Sequence, residues 1–273
     1  MIRFLPQVLL LLASVSACAP PAPPTHRYLH LSHTRTDTNP YIDSVAALVD
    51  YAAYDMLWLG GDLALRSTAN ETAIRHLDSL FDLDSPTSLL SPGNHDYDRP
   101  DLLRTATGRP LFYTQWQDGL VISVLDTQDS VSQLVGDQLA MLRAVADTIS
   151  AASHWVLLHH QLVWMRDGGE LEATSDYVAN GWFGDCAHCL RPNNFYGDVY
   201  PLLLKARQRG VQVLCVAGDL GKWCNEFQHT TADGIRFLAS GIEAGDSANQ
   251  VLLFEHRPAS GELTWAFVPL DAL

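Results

Sequence analysis

The chain has 273 residues, which is enough for one large α/β domain or two small ones. Hydrophobic residues make up 47% and charged residues 18%, a mixture that excludes an intrinsically disordered chain and allows a substantial core without disulfides. There are 17 Lys and Arg against 31 Asp and Glu, so the formal net charge is −14. Because such a surface repels phosphate backbones at long range, nucleic acid is not expected as a partner.

The first residues have the pattern of an export signal. Arg3 supplies a positive charge, and the apolar run over 4–15 is too short to span a bilayer stably. The run Val-Ser-Ala-Cys ends at Cys18 and resembles the bacterial lipobox, in which the cysteine is lipidated and becomes the mature N-terminus. We therefore predict a signal peptide over 1–17 and a lipid anchor on Cys18. An ordinary signal peptide cleaved near Ala17 or Ala19 is the alternative.

Residues 18–26 are rich in proline and predict a semi-rigid, extended spacer that holds a folded domain over 27–273 away from a membrane. Ala19 stands where an aspartate often signals retention in the inner membrane. We therefore expect an envelope protein on the outer membrane, facing the periplasm. Beyond the signal, no segment reaches transmembrane length, so the expected membrane contact is the lipid anchor alone.

The rest of the chain alternates strand-like and helix-like patterns. Apolar residues at helical spacing predict helices over 44–54, 71–81, 135–149 and 199–209. Short apolar runs predict strands over 28–32, 56–59, 88–90, 120–125, 155–158, 211–217, 235–238, 251–255 and 263–268. This order predicts an α/β fold with two β-sheets flanked by helices. The longest irregular stretch, 164–200, is expected to be functional or an insertion.

Four of the predicted strands end in polar residues. In chain order these are Asp62, Asn94 with His95, His159 with His160, and Asp219. Ligand sites of open α/β folds lie beyond the carboxyl ends of strands, so we expect these side chains to share one crevice. Carboxylate, amide and imidazole groups are suitable ligands for a divalent cation such as Mn, Fe or Zn.

The strings Gly61-Asp62 and Gly93-Asn94-His95-Asp96, in this order and before a strand that ends in histidine, resemble the calcineurin-like metallophosphoesterases over about residues 28–268. The resemblance implies a layered two-sheet sandwich and a two-metal phosphoester hydrolase. It assigns Asp62 as the carboxylate that bridges the metals and Asn94 as an amide ligand of the second metal. It assigns His95 as the catalytic histidine and His159 as the second-metal imidazole, His160 being the less favoured register.

Two segments depart from the pattern of that family. Ser-His33-Thr-Arg35 stands where the family has Asp-x-His, and Gly-Asp219-Leu-Gly221 stands where it has Gly-His-x-His. His33 and Asp219 remain candidate ligands. Arg35 cannot bind a cation, but its guanidinium can fill the first-metal position and hold phosphate-like oxygens. We therefore expect at most one tightly bound cation, with Arg35 acting beside His95.

The remaining cysteines permit two interpretations. Cys186, Cys189 and Cys224 could hold zinc, but in an oxidising envelope a disulfide from Cys224 to Cys186 or Cys189 is favoured, with a Cys186–Cys189 bond as the fallback. Cys215 lies in an apolar strand and is predicted to be a buried thiol.

Two functions follow from this pattern. The first is a metal-dependent phosphoester hydrolase of the bacterial envelope, acting on a phosphoester or another oxyanion. The second is a catalytically inactive lipoprotein of the same fold that binds or scaffolds during envelope or exopolysaccharide assembly. Arg35 and Gly221 favour the second function, whereas the retained ligands and His95 favour the first.

Overall fold

A computed structural model describes residues 24–166, 171–180 and 191–273. Cys18, Cys186, Cys189 and the predicted signal peptide lie outside these residues. Within them, no helix has both the length and the apolar composition needed to cross a membrane.

The described residues form two mixed β-sheets. Sheet A has the order β11-β10-β1-β2-β3, and sheet B has the order β4-β5-β6-β7-β9-β8. The strands of sheet A are β1 (His26–Leu31), β2 (Met56–Leu59), β3 (Ser88–Leu90), β10 (Gln250–Arg257) and β11 (Glu262–Pro269). Those of sheet B are β4 (Tyr113–Gln117), β5 (Leu120–Val124), β6 (His154–His159), β7 (Gln212–Ala217), β8 (Glu226–Thr230) and β9 (Arg236–Ser240). Strands β1, β2 and β3 run parallel, as do β5, β6, β7 and β9.

Helices cover the outer face of each sheet. They are α1 (Glu71–Phe81), α2 (Pro100–Thr107), α3 (Gly136–Thr148), α4 (Ser175–Val178) and α5 (Tyr200–Gln208). The side chain of Asn70 caps α1 by accepting a hydrogen bond from the backbone N–H of Ala73, and the buried face of α1 packs with sheet A. Helices α3 and α5 pack on sheet B. The predicted α/β fold with two sheets flanked by helices is confirmed.

The central core lies between the two sheets. Tyr28 and Trp58 of sheet A meet Val156 and Leu214 of sheet B in one buried cluster. Strand β6 has apolar layers on both sides, so every residue of His154–His159 is buried. The side chains of β6 alternate between the two layers, but both layers are apolar, so the sequence does not show this alternation. The sequence therefore does not reveal the register of the histidines at the end of the strand.

The helix predicted over 44–54 is wrong. The structure has two short 3₁₀ turns there, Ala46–Leu48 and Tyr51–Ala53, separated by Val49 in an extended conformation. Leu48 is 86% exposed, so the apolar spacing that suggested a helix does not bury a continuous face. The sequence patterns also gave no indication of α2, β4 and β8, which are short and amphipathic or polar.

Candidate active site

The carboxyl ends of the two sheets meet at a pair of glycines. A Cβ atom built on Gly218, after β7, would lie 2.1 Å from the carbonyl oxygen of Gly60, after β2. No side chain fits between these backbones, so glycine is required for the close approach. This contact brings the residues that follow β1, β2 and β3 against those that follow β6 and β7.

Asp62 lies at the centre of this junction. Its φ of 56° is in the left-handed region, which is uncommon outside glycine and typical of constrained functional sites. The backbone N–H of His95 donates to its Oδ1 at 2.9 Å. The buried carboxylate of Asp96 accepts from the N–H of Asp62 at 2.7 Å and of Gly93 at 2.8 Å. Asp96, which sequence reasoning left without a role, therefore ties the Gly-Asp and Gly-Asn-His-Asp loops together.

Four cationic or imidazole side chains surround the carboxylate of Asp62. The Nε2 atoms of His33 and His95 and the Nε of Arg35 each lie 3.9 Å from Oδ2, and the Nε2 of His160 lies 3.6 Å from Oδ1. We call the space that these side chains and Asp219 line the Asp62 crevice. Of the residues expected at this junction from the strand ends, the structure thus brings Asp62 and His95 together, and it adds His33 and Arg35, which follow β1.

The structure places His160, not His159, in the Asp62 crevice. His159 hydrogen-bonds the carbonyl oxygen of Gln161 through Nδ1 at 2.7 Å, and its ring meets that of Trp164 edge-on in the core outside sheet B. His160 hydrogen-bonds the carbonyl of Gly60 through Nδ1 at 2.7 Å. Its Nε2 is buried and lies 3.6 Å from Oδ1 of Asp62 and 3.9 Å from Oδ1 of Asp219. The assignment of the imidazole ligand to His159 is therefore corrected to His160.

Arg35 donates a hydrogen bond to His33, the residue predicted as a ligand of the first metal. The Nδ1 of His33 hydrogen-bonds the carbonyl of Ile242 at 2.9 Å, so Nδ1 carries the proton and Nε2 is the acceptor. That Nε2 accepts from the Nε of Arg35 at 3.2 Å. Burial, with a further contribution from Arg35, lowers the pKa of His33 to about 4 although Asp62 opposes the shift. His33 is thus neutral with its lone pair in use, which argues against the predicted metal-ligand role.

Gly221 has a backbone reason for being glycine. Its φ is +130°, and a Cβ atom there would lie 2.6 Å from the carbonyl oxygen of Ile242. Its N–H donates to the carbonyl of Cys224 at 2.9 Å. A histidine at 221 would therefore require the backbone to move, so the missing ligand reflects a different loop path and not only a different side chain.

Three solved structures are similar to this chain in overall fold. A dimetal phosphatase from Danio rerio superposes with a TM-score of 0.59 at 15% identity, covering 90% of this chain and 96% of that one. The chain therefore shares the overall fold of this dimetal phosphatase. An NAD nucleotidase from Haemophilus influenzae gives a TM-score of 0.47 at 11% identity, covering 91% of this chain and 56% of that one. A 5'-nucleotidase precursor from Thermus thermophilus gives 0.43 at 14% identity, covering 89% and 54%. No protein-family model and no curated sequence matches the chain.

The protonation of Asp62 is coupled to the protonation of His160. Burial would raise the pKa of Asp62, but the imidazoles of His160, His33 and His95 outweigh it and hold that pKa below its usual value. Burial would lower the pKa of His160, but the carboxylates of Asp62 and Asp219 outweigh it and raise that pKa. Burial also raises the pKa of Asp219. The favoured state is an Asp62 carboxylate beside a His160 imidazolium.

The spacing of His160, Asp62 and Asp219 bears on whether a cation could bind between them. Across the three described ranges, no group of three or more His, Cys, Asp or Glu side chains is arranged to hold a metal ion. However, the gaps of 3.6 and 3.9 Å from the Nε2 of His160 to Asp62 and Asp219 exceed hydrogen-bond length. Two metal–ligand bonds of about 2.0–2.2 Å each would span them. These gaps leave room for one cation between His160 and the two carboxylates, and beside Oδ2 of Asp62 the Nε of Arg35 lies 3.9 Å away.

The irregular stretch over 164–200 contacts the loop that carries Asp219 through Asn180. Its N–H donates to the backbone carbonyl of Asp219 at 3.1 Å, and its Oδ1 accepts from the N–H of Lys222 at 2.8 Å. Sequence reasoning missed this residue, because the only signal was the length of the irregular stretch. Asn180 holds the altered Gly-Asp-Leu-Gly loop in place.

The predicted disulfide from Cys224 is not formed in the structure. Cys224 is a free thiol whose Sγ donates to the carbonyl oxygen of Glu226 at 2.7 Å. Its proposed partners Cys186 and Cys189 lie outside the described residues, so the fallback bond between them stays a prediction. Cys215 is a buried free thiol, as its apolar strand suggested.

Proposed function

We propose that the chain is a phosphoester hydrolase that works with one divalent cation, Mn, Fe or Zn, held by Asp62, Asn94, His160 and Asp219. The observation that carries the proposal is the position of the buried Nε2 of His160, which faces carboxylates from both sheets at 3.6 and 3.9 Å. The Asn94 assignment rests on the family resemblance.

The residues of the chain have separable tasks. When bound, the cation supplies Lewis-acid activation of a phosphoryl oxygen. His95 hydrogen-bonds the carbonyl of Leu65 through Nδ1 at 2.7 Å, which leaves Nε2 facing the Asp62 crevice. When His95 is an imidazolium, its Nε2–H can deliver that proton to the leaving oxygen, which leaves the imidazole neutral. Asp96 and the backbone N–H of His95 fix the orientation of Asp62, so the carboxylate is positioned before substrate arrives.

A matched pair of histidine variants tests the proposal. His160→Gln is expected to lose divalent-metal binding. It should also reduce the rate of 4-nitrophenyl phosphate hydrolysis by more than about 100-fold, because losing a residue that only supports a metal ligand reduces activity by at most about that factor. His159→Gln is expected to keep both, because that ring lies in the outer core. Metal titration and initial rates give the readouts. Equal losses in the two variants, or loss only in His159→Gln, would contradict the proposed site.

The second candidate is a binding protein that has lost turnover. The contact between Arg35 and His33 and the positive φ of Gly221 favour it, because together they remove the first-metal position. One assay distinguishes the two candidate functions. A hydrolase releases phosphate from the ester in the presence of metal, whereas the binding protein takes up the ester and returns it unchanged.

We also propose that the chain is a lipid-anchored envelope protein. Strand β1 begins at His26, next to the Pro-rich spacer, and runs about 20 Å at roughly 3.3 Å per residue toward His33. The described chain therefore begins at the end of β1 away from the Asp62 crevice, so an anchor on the preceding residues is compatible with access to the crevice.

Fractionation of a cysteine variant tests the anchor. Cys18→Ser is expected to move the protein from the membrane fraction to the soluble fraction, because a spacer without lipid has no apolar anchor. Cys224→Ser is the matched control and should leave the distribution unchanged. Membrane retention of Cys18→Ser would exclude lipidation as the anchor.

A further inference from the structure

The guanidinium of Arg35 is held by one edge and leaves the other edge available. Its Nε donates to His33 at 3.2 Å and lies 3.9 Å from Oδ2 of Asp62. The side chain is 26% exposed, and the structure gives its Nη1 and Nη2 no hydrogen bond to any described residue. The two terminal N–H groups of this partly exposed side chain therefore have no hydrogen-bond partner in the part of the chain that the structure describes.

The support under this guanidinium is rigid. His33 is buried, takes a left-handed φ of 54°, and hydrogen-bonds the carbonyl of Ile242. The backbone of Arg35 pairs with that of Ile42 in an isolated β-bridge. A guanidinium fixed in this way loses little conformational freedom when it binds a ligand, and its planar fork matches two oxygens of a tetrahedral oxyanion.

The local composition differs from that of the protein as a whole. The protein is acidic at −14, yet one guanidinium and three imidazoles lie within 4 Å of the carboxylate of Asp62, with the carboxylate of Asp219 beside His160. The Nε2 of His33 accepts from Arg35 and is not a donor to Asp62, so the guanidinium is the fixed cation of this group.

We propose that Arg35 forms a metal-independent binding site for a tetrahedral oxyanion, with phosphate as the fitting ligand. The fixed guanidinium takes over the electrostatic task of a first metal by binding two phosphoryl oxygens through Nη1 and Nη2. The existence of the site is independent of catalysis. Its use for the phosphoryl group of a substrate rests on the proposed function.

Binding of inorganic phosphate to the metal-free full chain tests this site. Protein stripped with EDTA and checked by elemental analysis is titrated calorimetrically with phosphate at ionic strength held constant with chloride. We expect saturable binding of one phosphate per chain, competed by sulfate but not by chloride. Arg35→Gln should weaken binding by roughly 10-fold or more, the usual worth of charge-assisted hydrogen bonds. Arg35→Lys, which keeps the charge without the fork, should weaken it less.

Arg66→Gln is the matched control. Arg66 is an exposed arginine paired with Asp98 at 2.9 Å, so its loss should not change phosphate affinity. Absence of saturable binding in the unaltered metal-free protein, or equal affinity in Arg35→Gln, would overturn the proposal. If Arg35→Gln fails to fold, Arg35→Lys carries the same test. Ester hydrolysis with added metal is measured separately: phosphate binding without hydrolysis keeps this site and rejects the hydrolase, and the reverse result rejects only the site.

Discussion

Replacing Asp62 with asparagine is expected to abolish divalent-metal binding and to reduce phosphoester hydrolysis by more than about 100-fold, beyond the cost of removing an outer-shell partner. Asp62 is the group that His33, Arg35, His95 and His160 all face at 3.6–3.9 Å. Asparagine tolerates the left-handed φ of 56° at this position, so the backbone should be retained. The variant thus removes the central charge while keeping the local shape.

The matched control for this variant is Asp98→Asn, which removes a partly exposed carboxylate that pairs with Arg66 at the surface. It should leave metal binding and rate unchanged. Metal content by elemental analysis and initial rates on a phosphate ester are the readouts, with thermal melting to verify folding. A folded Asp62→Asn protein that keeps its metal and its rate would show that the Asp62 crevice is not the catalytic centre.

The double variant His33→Asp with Arg35→His is expected to gain a second divalent cation and to hydrolyse esters at least about 10-fold faster, a change of roughly 1.4 kcal/mol in the barrier. It removes a fixed cation from the first-metal position, where two unit charges 4 Å apart repel by about 4 kcal/mol at an effective dielectric constant of 20. It also restores two ligand types. Aspartate tolerates the left-handed φ of 54° found at His33.

A single variant provides the control for this gain. Arg35→Gln removes the cation without adding a ligand, so it should remain at one metal per chain. Gly221 is left unchanged in all these variants, because a histidine there would meet the carbonyl of Ile242 at 2.6 Å from its Cβ. A double variant that is folded and still binds no second cation would show that loop geometry, and not Arg35, limits the site.

The sequence predicted the fold well because the strands of this chain are separated by clear glycine turns and by helices with one apolar face. Helix α1 was placed at its observed bounds, with Ile74, Leu77 and Phe81 on its buried face. The segment over 44–54 has similar spacing but forms two 3₁₀ turns, because Leu48 points to solvent and Val49 is extended. Apolar spacing predicts a helix only when another element covers the apolar face.

The sequence predicted which loops form the site, but not which atoms of their side chains face one another. Asp62, His95 and Asp219 follow glycine-rich strand ends, and the Gly60–Gly218 contact brings those ends together. The register of His159 and His160 could not be determined, because strand β6 is buried on both faces and its apolar run shows no alternation. The use of the His33 lone pair by Arg35 depends on the tertiary contact with Ile242, over 200 residues away.

The most direct test of the central claim is the metal content of the unaltered protein. The full chain is dialysed against excess Mn, Fe or Zn in turn, freed of unbound metal, and measured by elemental analysis together with His160→Gln. We expect no more than one tightly bound cation per chain in the unaltered protein, because Arg35 fills the first-metal position. We expect none in His160→Gln, because His160 supplies the imidazole ligand of the second position. Two tightly bound cations in the unaltered protein would contradict it.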